Sequence, residues 1–168
     1  GELEEQKVAR AALGLSAERV VLFFGYIRPY KGLKTLIEAM AKLRTEDLEL
    51  VIAGECYEDK GIYTSLIERL GISGRVHFID RYISNEEVPR FFAAADLCAL
   101  PYKSATQSGI VQVAYAFGVP VIVTSVGGIP EVVDDGVSGL LVPPDRPDLF
   151  ATAIDRFFED DLSDMLRA

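Results

Sequence analysis

Residues 106–131 read TQSGIVQVAYAFGVPVIVTSVGGIPE, and the fold can be read from this stretch. It passes from a polar loop into a helix, then a short apolar strand, then a glycine-rich turn. Ser108 and Gly109 stand where the helix begins. A helix start offers unpaired N–H groups and about half a positive charge, which suits an anion and above all a phosphate. Along the helix Ile110, Val113, Ala114 and Phe117 share one face, the pattern of ordinary core packing.

Outward from this stretch, apolar runs alternate with helical ones. RVVLFFGY (19–26) ends at a glycine turn, and GLKTLIEAMAKLR (32–44) sets Leu33, Leu36, Ile37, Met40 and Leu43 on one helical face. LELVIAG (48–54) is the next strand, followed by a helix over 63–70, the strand RVHFID (75–80) and a helix over 85–95. Ser84 followed by Glu87 predicts a capping box for that helix. DLCALP (96–101), PVIVT (120–124) and GLLVP (139–143) complete the strands, with a short helix near 129–134 and another over 148–159. Strands this uniformly apolar belong to a parallel sheet covered on both faces. The expected fold is therefore a single α/β domain over 1–168, a doubly wound, Rossmann-like sheet of about six strands with helices on both faces. Ligands of such sheets bind outside the carboxyl ends of the strands. The turn at 25–32 and the loops at 101–109 and 125–130 all follow strands, so all three fall on that edge.

The 168 residues carry 26 acidic against 17 basic side chains, a net charge of −9. Broad nucleic-acid binding is disfavoured, because a footprint on phosphates needs a basic face. No apolar run approaches the ~20 residues that span a bilayer, so no membrane segment is expected. GELEEQKVAR at the start reads as a charged amphipathic helix that follows an earlier segment. Cys56 and Cys98 show neither metal spacing nor a disulfide framework, which fits a reducing compartment. Cys98, inside DLCALPY, reads as a small buried hydrophobe. His77, the one histidine, alternates with apolar neighbours and reads as a structural residue without a partner.

The turn GYIRPYKG (25–32) carries the second anion signal. Gly25 lets backbone approach a ligand, and Arg28 and Lys31 can meet phosphate oxygens from two directions. Taken alone the turn reads first as an exposed basic corner before a helix, and Ser108 alone at least as readily as a simple helix cap. Together the two suggest a nucleotide-diphosphate site. GxGxxG is absent, as is an acidic cluster at the strand ends, which argues against dehydrogenase-type and receiver-type domains. No nucleophile–base pair and no metal cluster stands out.

In order along the chain, FFGYIRPYKG, LELVIAGE, VHFIDRYIS, AADLCALPY, AYAFGVPVIVT, VGGIPEVVDDG and SGLLVPP resemble the donor-binding half of GT-B glycosyltransferases of the retaining family 4 type. The resemblance spans roughly 20–158. It implies a C-terminal domain that holds a nucleoside-diphosphate sugar, with an N-terminal Rossmann-like domain of the same polypeptide binding the acceptor. Gly25, Lys31, Ser108, Gly109 and Ile110 match positions that meet the donor diphosphate. The arginine usual in that motif falls at Tyr26, and Arg28 is the candidate to supply its charge. Arg81, Tyr82 and Ile83 match the turn beside the base.

Two family glutamates, spaced E-x7-E, fall at Ala105 and Val113, neither of which accepts a hydrogen bond from a sugar or ribose hydroxyl. Thr106, Gln107 and Gln112 are the candidates for that region. The implied function is donor binding in a retaining hexosyltransferase of carbohydrate biosynthesis, with the isolated domain inactive. The alternative is a non-catalytic nucleotide-binding or scaffold module of the same fold. Basic and N–H groups would neutralise the diphosphate, so neither cofactor nor metal is expected, and no Asp-x-Asp motif occurs. A cytoplasmic place is expected, with any attachment to the inner membrane left to the other half.

Overall fold

Strands that are apolar at every position can be stable only between two covering layers. The computed structural model, which describes residues 1–105, 108–164 and 166, shows that arrangement. The strands are β1 (Arg19–Phe24), β2 (Leu48–Ala53), β3 (Val76–Ile79), β4 (Leu97–Leu100), β5 (Val121–Thr124) and β6 (Gly139–Val142). They pair in parallel in the order β3-β2-β1-β4-β5-β6, the doubly wound topology expected from the sequence. The helices are α1 (Glu2–Ala12), α2 (Leu33–Met40), α3 (Lys60–Arg69), α4 (Val88–Ala94), α5 (Gly109–Ala116) and α6 (Pro147–Glu159).

Alternate strand residues feed two separate cores. Val21, Phe23, Leu50, Ile52, Leu97 and Ile122 face α2, α3 and α6. Val20, Leu22, Val51, Cys98, Leu100 and Val123 face α1, α4 and α5. Burial alone pushes the Cys98 thiol up to about 12, so it is inert and packs as a small hydrophobe. Burying one such aliphatic side chain contributes about 1.5–3 kcal/mol, so the two cores dominate stability.

Polar anchors fix the periphery and explain where elements stop. Asp96 accepts from Arg10 at 2.8 Å and from the Val20 N–H at 2.9 Å, docking α1 against the head of β1. α2 ends at Met40 rather than reaching residue 44. Buried Asp155 of α6 takes the N–H groups of Arg44 (3.1 Å) and Thr45 (2.9 Å) and so draws the chain out of the helix. α4 begins at Val88 rather than 85, since the Glu87 carboxylate is held by Arg81 and by the N–H and hydroxyl of Ser84. The expected capping box is thus half-formed, with the serine hydroxyl donating to the glutamate. Near residue 129 only a single 3-10 turn (Ile129–Glu131) forms, because the Ser138 hydroxyl accepts from the Asp134 N–H.

His77 does have a partner, contrary to the sequence reading. Its Nε2 meets the carboxylate of buried Glu49, which also accepts from the N–H groups of Ser16 (2.8 Å) and Ala17 (2.5 Å). Burial pushes the Glu49 carboxyl up, but the hydrogen bonds from His77, Ala17 and Ser16 outweigh it and hold the group below its ordinary value. Glu49→Gln should therefore cost about 2 kcal/mol near neutral pH, a fall in Tm of roughly 4–8 °C. A carboxyl depressed in the folded state contributes stability above its unfolded pKa and loses it as pH falls through the folded one. Thermal melts of the two proteins should accordingly converge in acid; a gap that stays constant with pH would reject this role.

Candidate functional site

The C-terminal ends of β1, β2 and β4 open onto two adjoining cavities. The smaller, about 280 Å³, is lined by Phe24, Gly25, Tyr26, Ala53, Gly54, Glu55, Tyr82, Ile83, Asn85 and Val88, with Lys31 and Ile110 at its border. The larger, about 620 Å³, is lined by Tyr30, Tyr102, Ser104, Ala105, Ser108 and Gly109, again with Lys31 and Ile110. Lys31 and Ile110 thus form a ridge common to both. A third hollow of about 600 Å³ lies between α1 and α4, beside Phe117 at the far end of α5. Its wall carries Glu2, Glu4 and Glu5, which makes it a poor place for an anion.

Gly25 ends β1 at φ +123°, backbone that only glycine adopts without strain. A Cβ there would face the Lys31 ammonium at 3.4 Å and Ile110 at 3.7 Å, so its absence keeps the ridge open to a ligand. The chain then makes a 3-10 turn over Pro29–Lys31, which presents Lys31 inward. Gly32, at φ +70°, packs so closely on the Pro101 carbonyl that a Cβ would come within 1.9 Å of its oxygen. Together with the bond from the Lys103 N–H to the Tyr30 carbonyl (2.8 Å), this contact locks the turn after β1 to the loop after β4.

Lys31 is half-buried, and its ammonium lies 5.3 Å from the Tyr102 ring centroid and 5.7 Å from that of Tyr30. Among the described residues no carboxylate pairs with it. Burial, and then the charge of Arg28, hold its pKa below the ordinary 10.5. A half-buried cation between two aromatic faces, with no carboxylate beside it among the described residues, has the charge and setting to accept an anion. Opposite it α5 begins. Ser108 caps the helix, its hydroxyl accepting from the Val111 N–H at 3.4 Å, and the earlier N–H groups of Gly109 and Ile110 have no intrahelical acceptor by position. A Cβ at Gly109 would meet nothing within 4 Å, so the approach to these amides is open.

Gly25, Lys31, Ser108, Gly109 and Ile110 are therefore brought together as the sequence suggests. Arg28 is exposed on the same rim but lies outside both cavities, its guanidinium 4.6 Å from the Tyr57 ring centroid. Tyr82 and Ile83 line the smaller cavity, whereas Arg81 turns away to a two-point ion pair with Glu87 at 2.7 and 2.9 Å. That pair, with the Ser84 hydrogen bonds, holds the Glu87 carboxyl down at about 2. Gln112 is exposed on α5 and borders neither cavity. Thr106 and Gln107 lie outside the described residues. Ala105 lines the larger cavity without a polar atom to offer from its side chain, and Val113 packs into the second core.

Sequence reasoning missed Tyr30, Tyr102, Ser104, Glu55 and Asn85 as lining residues. Tyr102 had a readable signal: it stands two places past β4, on the edge where ligands bind. Glu55 and Asn85 lend the otherwise apolar and aromatic smaller cavity its polar groups. The pair of cavities suits a ligand with a flat ring at one end, an anion in the middle and a polar body at the other.

Comparison with known proteins places this geometry in a family. The sequence profile described as glycosyl transferases group 1 matches residues 18–160. The D-inositol 3-phosphate glycosyltransferase of Mycolicibacterium gilvum (strain PYR-GCK) is 39% identical over 170 residues, covering 98% of this chain and 38% of its own length. That of Mycobacterium tuberculosis (strain ATCC 25177 / H37Ra) is 38% identical over 157 residues, with coverage of 90% and 32%. This chain thus spans about a third of the length of these two relatives. Anabaena HepE, solved in complex with UDP-glucose, superposes with a TM-score of 0.87 at 26% identity, over 98% of this chain and 45% of that one. The C-terminal domain of LpcC, a group 1 family glycosyl transferase from Francisella tularensis, shares the fold with a TM-score of 0.86 at 22% identity, covering 96% of this chain and 87% of that domain. This chain belongs to the group 1 glycosyl transferases.

Proposed function

We propose that the chain is the donor-binding domain of a retaining glycosyltransferase, holding a nucleoside-diphosphate sugar across the Lys31–Ile110 ridge. The observation that carries this reading is a half-buried lysine with no carboxylate partner among the described residues, facing the start of α5 between a smaller aromatic cavity and a larger one lined by serine and tyrosine hydroxyls. The base fits the smaller cavity against Phe24, Tyr26, Tyr82 and Ile83. The diphosphate fits between Lys31 and the amides of Gly109 and Ile110, and the sugar fits the larger cavity. UDP is the first candidate nucleotide, in keeping with the UDP-glucose complex of HepE.

As the glycosidic bond to the diphosphate breaks, negative charge grows on the leaving phosphate oxygen. Lys31 and the α5 amides are aimed at that charge, so they stabilise the transition state more than the ground state. This reading neutralises the diphosphate with protein groups and assigns no metal or other cofactor to the task. Acceptor binding belongs to a second, N-terminal domain of the same polypeptide, which fits the fraction of its relatives that this chain spans. The acceptor named for those relatives is not carried over, since this domain would not contact it. On this reading the isolated chain binds donor and transfers nothing.

Calorimetric titration tests the proposal. UDP should bind, and more tightly than UMP, because the second phosphate reaches the α5 amides. GDP and ADP in the same series identify the base. Failure of all three diphosphates, or equal affinity for UMP and UDP, would overturn the assignment.

Lys31→Ala removes a charged hydrogen-bond donor and should weaken UDP by about 2 kcal/mol, roughly 30-fold. Arg28→Ala, outside the cavities, should cost less than tenfold by loss of long-range charge alone. A larger effect at Arg28 than at Lys31 would reverse their assigned roles.

The protonated form of Lys31 is the one that binds phosphate. UDP affinity should therefore be full below the Lys31 pKa and decline as pH rises through it, beginning below 10.5. In Lys31→Ala that decline should vanish, and its persistence in the variant would assign it to another group.

A further inference from the structure

Tyr102 touches both halves of the anion site, and its backbone ties them to the sheet. Its side chain is almost fully buried, at the start of the segment that follows β4. Its hydroxyl lies 3.0 Å from the Ser108 hydroxyl, the group that caps α5. Its ring lies under the Lys31 ammonium, 5.3 Å from the centroid. Its carbonyl accepts from the Thr124 hydroxyl at 2.6 Å, and Thr124 is fully buried at the end of the neighbouring strand β5. Burial pushes the phenol up to about 12, so the hydroxyl stays protonated, and either hydroxyl of the Tyr102–Ser108 pair can donate.

We propose that Tyr102 is the positioning residue of this site, its ring setting the height of the Lys31 ammonium and its hydroxyl fixing the Ser108 cap, so that one side chain sets the gap across which the diphosphate is bound. The inference rests on the donor-site reading given above. A ring under an ammonium attracts it electrostatically and limits where it can sit. Ser108 has two possible calls on its oxygen, the Val111 N–H and the phenol; with the phenol donating, the serine keeps lone pairs for the amide and its rotamer is held. Without it the serine can rotate, and the first turn of α5 loses the fixed direction of its free amides. Because the Thr124 bond is to the backbone carbonyl, it survives any substitution at Tyr102 and keeps the loop on the sheet.

Tyr102→Phe keeps the ring and removes the hydroxyl; Tyr102→Leu removes both while staying apolar. Wild type, both variants, Ser108→Ala and the Tyr102→Phe/Ser108→Ala double variant are titrated with UDP and with pyrophosphate by calorimetry, and with uridine by NMR shift changes. All are first shown to melt cooperatively. Tyr102→Phe should lose about fivefold for both UDP and pyrophosphate, as one hydrogen bond is worth, and nothing for uridine. The double variant should be no weaker than the poorer single one, because the two substitutions break the same link. Tyr102→Leu should lose more than tenfold for UDP, about one decade of which is the ring's hold on the cation. A merely structural role would lower uridine in proportion, and that result, or unchanged UDP binding in Tyr102→Phe, would overturn the inference. If wild type bound pyrophosphate but not UDP, the donor reading would fall while Tyr102 was still judged on pyrophosphate. Binding of neither by wild type would overturn both.

Discussion

All six strands run the same way, and the rest of the molecule follows from that constraint. Parallel strands cannot be joined by tight turns, so each connection must climb back over a face of the sheet. Every strand therefore delivers its outgoing loop to the same edge. Residues 24–31, 53–55, 82–88, 102–105 and 108–110 are far apart in the chain, yet members of each become walls of the two adjoining cavities with no further device. The same constraint demands cover on both faces, which is why alternate side chains of β1, β2, β4 and β5 feed two cores instead of one. At the opposite edge the chain needs only anchoring, and there Glu49 and Asp96 gather backbone N–H groups from the segments that enter the sheet.

What lies at the ligand edge is held by backbone as much as by side chains. The Gly32–Pro101 approach and the Lys103–Tyr30 hydrogen bond join two loops that carry opposite walls of the larger cavity. Lys31 is thus presented by a turn fixed to the start of the loop after β4. A cation that is already desolvated and already in place loses little freedom when an anion arrives, so little of the interaction energy goes into ordering it.

The parallel sheet and its covering layers were legible because apolar runs of this length admit few alternatives, whereas the strand order came from the structure. Helix boundaries were less so: α2 stops short of residue 44 because Asp155, more than a hundred residues later, captures the N–H groups of Arg44 and Thr45, and no local pattern announces that. The pairing of His77 with Glu49 was hidden for the same kind of reason. The two are neighbours only once β3 is set beside β2 in a register that places His77 opposite Val51. In the site, Lys31 and Ser108–Gly109 could be found because a glycine turn and a helix start are local signals. Tyr102 escaped because at the end of an apolar run a tyrosine reads as one more core residue. Arg28 could be placed on the correct rim, but which way its guanidinium turns depends on Tyr57, a neighbour in space supplied by the turn after β2.

The ridge formed by Lys31 and Ile110 has a consequence for how such a site can diversify. Apart from this ridge and the turn after β1, which gives Tyr26 to one cavity and Tyr30 to the other, their walls come from different loops: those after β2 and β3 on one side, that after β4 on the other. Changes to one wall leave the other untouched. The molecule is in effect a socket with two interchangeable ends, whose preferences can drift independently while the middle contact stays constant.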